Sequence, residues 1–154
     1  MARPPHHLLF VCTANICRSP MAEELARLYA EERRWNVEVR SAGTHAMAGQ
    51  AAAPNAVKAI KDVGGDLSSH QSQPMSLELV EWADRILVME IRHASTIREL
   101  YPEADEKVQL LGTFGGTMEI DDPYGRWIFA FRRSRDEIQR CVETFMDRLP
   151  PNPL

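Results

Sequence analysis

Leu8-Leu9-Phe10-Val11-Cys12-Thr13-Ala14-Asn15-Ile16-Cys17-Arg18-Ser19-Pro20 decides the reading of this chain. Four apolar residues form a strand that ends on Cys12, a five-residue loop follows, and Arg18 and Ser19 open a helix whose first turn suits Pro20. A loop of this kind can curl its backbone N–H groups around an anion, and the helix N-terminus adds free donors and a positive dipole end. Cys12 puts a sulfur nucleophile at that anion site, and Arg18 supplies a planar two-donor fork. Taken alone, a Cys ending a core strand is ordinary packing. By composition, a Cys followed six positions later by Arg-Ser arises in roughly one chain in fifty, and the flanking strand and helix make it rarer.

Thr13, Ala14, Asn15, Ile16 and Cys17 form the expected phosphate-binding loop together with Arg18 and Ser19. Asn15 is the residue type most tolerant of left-handed backbone after Gly, so it is expected at the strained turn with its amide bracing the loop. The charge of Arg18 favours the thiolate form of Cys12, and a Ser19 hydroxyl donating to the sulfur favours it further.

Outward from this loop, apolar runs predict strands at Leu8 to Cys12, Val37 to Ser41, Arg85 to Met89 and Val108 to Leu111. Helical spacing groups Met21, Leu25, Leu28 and Tyr29, then Val57 with Ile60, Ile97 with Leu100, and Ile138, Cys141, Val142, Phe145 and Leu149. Strands alternating with helices predict a single α/β domain: a four-stranded parallel sheet of Rossmann-like type, flanked by helices on both faces, with ligands at the strands' carboxyl ends. Cys12 sits at such an end. The expected domain runs from 8 to 150, between an N-terminal tail of residues 1–7 and a C-terminal tail of residues 151–154 that Pro150, Pro151 and Pro153 keep out of the last helix. Ala46 to Asn55 and Thr113 to Gly125 read as loops long enough to border a site.

The 154 residues carry a formal net charge of -4 and few lysines, which argues against nucleic-acid binding. No apolar run is long enough for a membrane span or a signal-peptide core, and three cysteines without a CxxC pair fit a reducing compartment, so a cytoplasmic location without membrane attachment is expected. GxxxxGK and GxGxxG loops are absent. His6, His7, His45, His70 and His93 show no metal-ligand spacing, so neither metal nor cofactor is expected.

The chain resembles the low-molecular-weight protein tyrosine phosphatases. The resemblance is carried by Val11 to Pro20 with Met21-Ala22-Glu23, by Ser41-Ala42-Gly43-Thr44, by Ile86-Leu87-Val88-Met89 and by Asp121-Asp122-Pro123-Tyr124. It implies the phosphotyrosine phosphatase I type of fold, a phosphocysteine intermediate on Cys12, and Asp122 as general acid and later base. Expelling a phenolate of pKa about 10 at neutral pH calls for such an acid; Asp121 is its rival. The resemblance further implies that Ser41 and His70 brace Asn15 and Ser19, and that Cys17 can form a reversible disulfide with the nucleophile.

Three positions depart from the family pattern. Ala14 replaces a Gly, Met47 replaces a Trp, and Gly125 replaces an aromatic, so the substrate wall reduces to Met47 and Tyr124. Protein arginine phosphatases resemble the chain closely but carry Thr where Ile16 stands. Arsenate reductases need a mid-chain cysteine that is lacking here, and a sugar-transport phosphocarrier or an inactive phospho-binding protein would not need Arg18 and Asp122. The expectation is a monomeric protein tyrosine phosphatase whose partner is a phosphotyrosine-containing protein, a bacterial tyrosine kinase by resemblance.

Overall fold

The computed structural model describes residues 3–154. Its sheet is wholly parallel in the order β2-β1-β3-β4, from β1 (His6–Cys12), β2 (Val37–Gly43), β3 (Arg85–Val88) and β4 (Val108–Leu110). The helices are α1 (Arg18–Arg33), α2 (Pro54–Lys61), α3 (Leu77–Trp82), α4 (Ile91–Leu100) and α5 (Ile128–Asp147), with 3-10 turns at Pro102–Lys107 and Leu111–Gly115. The expected α/β class, strand number and parallel pairing therefore hold.

Alternation along β1 splits the core in two. Leu8, Phe10 and Cys12 face α1, α2 and α5, where Met21, Leu25, Ile60, Ile138, Val142 and Phe145 are buried. Leu9 and Val11 face the other side, against Leu79 and Val80 of α3 and Ile97 of α4. The chain leaves β1 toward β2 and returns past it to β3, so the order reverses beside β1, the switch point at which parallel sheets bind ligands. Cys12 and Gly43 are register partners there. A Cβ on Gly43 would lie 2.4 Å from the Thr13 carbonyl oxygen, so only Gly lets β2 come this close to the loop.

Three expectations change. β1 begins at His6, inside the expected tail, because His6 pairs with Val37 and the His7 ring stacks on Trp82 at 4.5 Å; residues 1 and 2 of that tail lie outside the described residues. The C-terminal segment is docked: buried Asn152 donates its amide to the carbonyls of Pro4 and Asn36, and Pro153 bridges to Trp35. Leu100 is exposed while Ile97 is buried, because α4 ends there and the chain turns away. The helix α3 has too few residues for a periodic signal and starts on a Ser76 cap, whose Oγ accepts from the Leu79 N–H.

Candidate active site

The segment from Thr13 to Cys17 joins β1 to α1, and its turn is set by Asn15, the only left-handed residue in the loop, at φ 59°. Ala14 has negative φ, so the methyl that replaces hydrogen there is accommodated. Asn15 is fully buried: its Nδ2 donates to Ser19 Oγ at 2.8 Å and Ser41 Oγ at 2.9 Å, and its Oδ1 accepts from the Gln73 N–H at 3.0 Å. His70 Nε2 donates to the Asn15 carbonyl at 2.7 Å. The Ser41 hydroxyl in turn donates a hydrogen bond to the Glu23 carboxylate, whose pKa burial raises against the opposing pull of Ser41 and His70.

Cys12 Sγ lies 3.0 Å from Ser19 Oγ, while the Ala42 carbonyl is 3.4 Å from the same hydroxyl. Ser19 has one proton, and Asn15 occupies an acceptor position on its oxygen. A thiolate at Cys12 draws that proton to sulfur, whereas a neutral thiol leaves it to Ala42. Cys17 is a different kind of cysteine. Burial first, then the charges of Asp122 and Cys12, push its thiol up to about 12, so it stays protonated at neutral pH.

Arg18 is 1% exposed, the largest fully buried side chain of the protein. Its Nη1 donates to the Ile120 carbonyl at 2.6 Å and meets Glu90 Oε2 at 2.7 Å, and its Nη2 lies 3.7 Å from Asp122 Oδ2. Its Nε is buried and, among the described residues, has no partner. An unpaired buried donor costs about 1–3 kcal/mol, and a guanidinium donor of this kind is suited to an oxyanion. No acidic side chain stands in the first turn of α1 to compete for its free N-terminal donors.

Glu90, which sequence reasoning missed, caps α4. Its carboxylate is shared between Arg18 and Arg92, and its backbone N–H donates to His93 Nδ1 at 3.1 Å. Burial raises its pKa, but the bonds from Arg92 and Arg18 outweigh that and leave it below the ordinary value. The only sequence trace of Glu90 is its place directly after the apolar strand, at a carboxyl end neighbouring Cys12.

Cys12, Cys17, Arg18 and Arg92 line a cavity of about 400 Å³ together with Thr13, Ile16, His45, Met47, Gln50, Asp122 and Tyr124. Asp122 is brought into it and Asp121 is not: Asp121 faces a separate crevice beside α5. Pro123 is buried and Asp122 Oδ1 accepts from the Tyr124 N–H at 3.1 Å, a turn that leaves Oδ2 toward Arg18. Met47 and Tyr124 stand at the mouth, 68% and 64% exposed. The site can hold a dianion against a sulfur nucleophile, with the Asp122 carboxyl group near Arg18.

Residues 7–152 match the family model described as low molecular weight phosphotyrosine protein phosphatase. A protein-arginine-phosphatase of Geobacillus stearothermophilus is 40% identical over 94% of this chain and 97% of its own length. The low molecular weight protein-tyrosine-phosphatase Wzb of Escherichia coli K12 is 36% identical over 93% and 89%. Among solved structures, a YwlE arginine phosphatase mutant with a phosphorylated active-site serine superposes with a TM-score of 0.89 at 36% identity, covering 93% of this chain and 95% of that one. The chain belongs to the low molecular weight protein tyrosine phosphatase family, a family of hydrolases.

Proposed function

We propose that this protein hydrolyses phosphotyrosine in proteins by two displacements at Cys12. The Cys12 thiolate attacks phosphorus, the P–O bond to the ring breaks, and Asp122 gives its proton to the leaving phenolate. Asp122, now a carboxylate, takes a proton from water as its oxygen attacks the phosphocysteine; the S–P bond breaks and orthophosphate leaves. Arg18 Nε, its neighbouring Nη2 and the loop N–H groups hold the phosphoryl oxygens through both steps. Ser19 stabilises the sulfur as nucleophile and as leaving group. Asn15, Ser41 and His70 keep the loop in shape.

The observation that carries this reading is that Arg18, with a buried, unpartnered Nε, lines the same cavity as a sulfur already held by Ser19. The YwlE mutant whose active-site serine is phosphorylated supports a phosphoryl group resident on the nucleophile's side chain. Ile16, Met47 and Tyr124 give the cavity apolar surface for a phenyl ring.

Phosphoarginine is the second reading, favoured by the 40% identity to a relative named protein-arginine-phosphatase. A cationic phosphoguanidinium would meet Arg92 at the mouth, which places it behind phosphotyrosine. A phosphorylated tyrosine kinase is a fitting partner. Three free cysteines and the lack, among the described residues, of a helix able to cross a membrane favour the cytoplasm.

Purified protein given phosphotyrosine, phosphoserine and phosphoarginine peptides, with and without EDTA, tests the assignment. Preference for phosphotyrosine in both conditions is expected. Preference for phosphoarginine overturns the substrate, and loss of turnover on chelation overturns the mechanism.

A further inference from the structure

Part of the cavity lining offers hydrogen-bond donors only, a polarity fixed by a chain that begins at a backbone amide. The Glu90 N–H can only donate, so His93 Nδ1 accepts. His93 is buried and burial holds its pKa down to about 4, with the Arg18 charge acting in the same sense, so the ring is neutral and carries its proton on Nε2. That proton goes to Thr13 Oγ1, 2.8 Å away. Arg92 Nη2 donates to the same oxygen from 3.1 Å. Thr13 Oγ1 thus accepts twice, and among the described residues its own proton meets no acceptor.

Arg92 is fixed as firmly. Its Nε and Nη2 each meet a different oxygen of Glu90 at 3.2 Å, a side-on pairing that sets the guanidinium plane. The second proton of Nη2 serves Thr13, which leaves both protons of Nη1 without an acceptor among the described residues. Arg92 and Thr13 both line the cavity, and the Arg92 side chain is 60% exposed. Asp122, Glu119 and Glu90 are the acidic groups that act on Arg92, and Glu90 is shared with Arg18. The remaining donors are oriented in advance, so an anion there orders little new side chain.

We propose that Arg92, with Thr13, is a specificity-determining pair that binds a carboxylate on the residue next to the phosphotyrosine of the substrate protein. The inference rests on the phosphatase reading above and adds to it an acidic flank as the substrate class. The phosphoryl group occupies Arg18 and the loop amides, while Arg92 and Thr13 read the neighbour. Lysine at that neighbouring position meets donors and like charge, and so is rejected.

The test compares kcat/KM for phosphotyrosine peptides that differ only in carrying Glu, Gln or Lys on either side of the phosphorylated residue. The wild type is expected to prefer Glu over Gln by about fivefold, mainly through KM, with the preference shrinking as salt rises. Arg92→Gln brings that ratio close to one, Arg92→Lys retains part of it, and Thr13→Val lowers it while Thr13→Ser does not. Equal rates for the Glu and Gln peptides in the wild type overturn the inference, as does a ratio that Arg92→Gln leaves unchanged, even where overall turnover falls. A wild type that cleaves neither peptides nor p-nitrophenyl phosphate overturns the phosphatase reading instead.

Discussion

Nη1 of the fully buried Arg18 lies 2.7 Å from Oε2 of Glu90, a residue that reaches the loop from the end of the neighbouring strand β3. The contact fixes one end of the guanidinium. It also compensates a charge that burial would otherwise make costly.

Replacement Glu90→Gln tests both roles. Removing the carboxylate is expected to cost about 1–3 kcal/mol of stability, since Arg18 keeps its bond to Ile120 but loses the nearer of its two charge partners, Asp122 being 3.7 Å away. A misaimed guanidinium lowers kcat/KM by about a hundredfold. Glu90 titrates below its ordinary value in the folded protein because the two arginines outweigh burial. Its stabilisation is therefore complete above the unfolded value of about 4.5 and fades as pH falls through the lower folded one. The gap in Tm between wild type and Glu90→Gln should be wide at neutral pH and close in acid.

Asp122 and Asp121 are adjacent in sequence yet differ in surroundings, so their substitution separates the general acid from its neighbour. Asp122→Asn should lower kcat on phenyl phosphate by about 10²–10³, and Asp121→Asn by less than about twofold. A substrate whose leaving group needs no proton should suffer much less from Asp122→Asn. Equal losses at the two positions on phenyl phosphate contradict the role given to Asp122.

Asn15 combines left-handed backbone with three buried side-chain hydrogen bonds. Asn15→Ala loses the bonds and adds backbone strain; Asn15→Gly loses the bonds alone. Thermal unfolding should place the Gly variant about 1 kcal/mol above the Ala variant, and both below wild type.

Cys17 borders the cavity, but burial and the Asp122 charge keep its thiol protonated at neutral pH, and Cys141 is raised by its burial in the core. In a Cys12→Ser protein, native alkylation with iodoacetamide at neutral pH should leave both remaining cysteines unmodified by mass spectrometry. Rapid labelling of Cys17 contradicts this account of its environment.

Much of this was legible because it is local. A strand, a five-residue loop and a helix start lie within one stretch, so Cys12, Arg18, Ser19 and the left-handed Asn15 follow from residue type and spacing. Alternation of elements was enough for the parallel sheet. Glu90, Arg92 and His93 were not legible, since they meet the loop only through the pairing of β1 with β3, and nothing local marks a Glu after a strand. In the sequence only the family resemblance prefers Asp122 to Asp121; the buried Pro123 and the turn to Tyr124 that separate the two are a one-residue register no spacing rule supplies. The docking of the C-terminal prolines depends on Asn152 finding carbonyls at the other end of the chain.

The central claim is that the phosphoryl group passes through Cys12. Rapid quenching of wild-type protein during turnover of a ³²P-labelled aryl phosphate tests it most directly, with the labelled residue then identified by peptide mapping. A phosphocysteine at position 12 is expected, building up when Asp122 is replaced by Ala and the substrate carries a good leaving group; Cys12→Ser should show no phosphocysteine, any label in it sitting on the replaced side chain at position 12. Label on any other residue, or a Cys12→Ser protein that turns over at the wild-type rate, contradicts it.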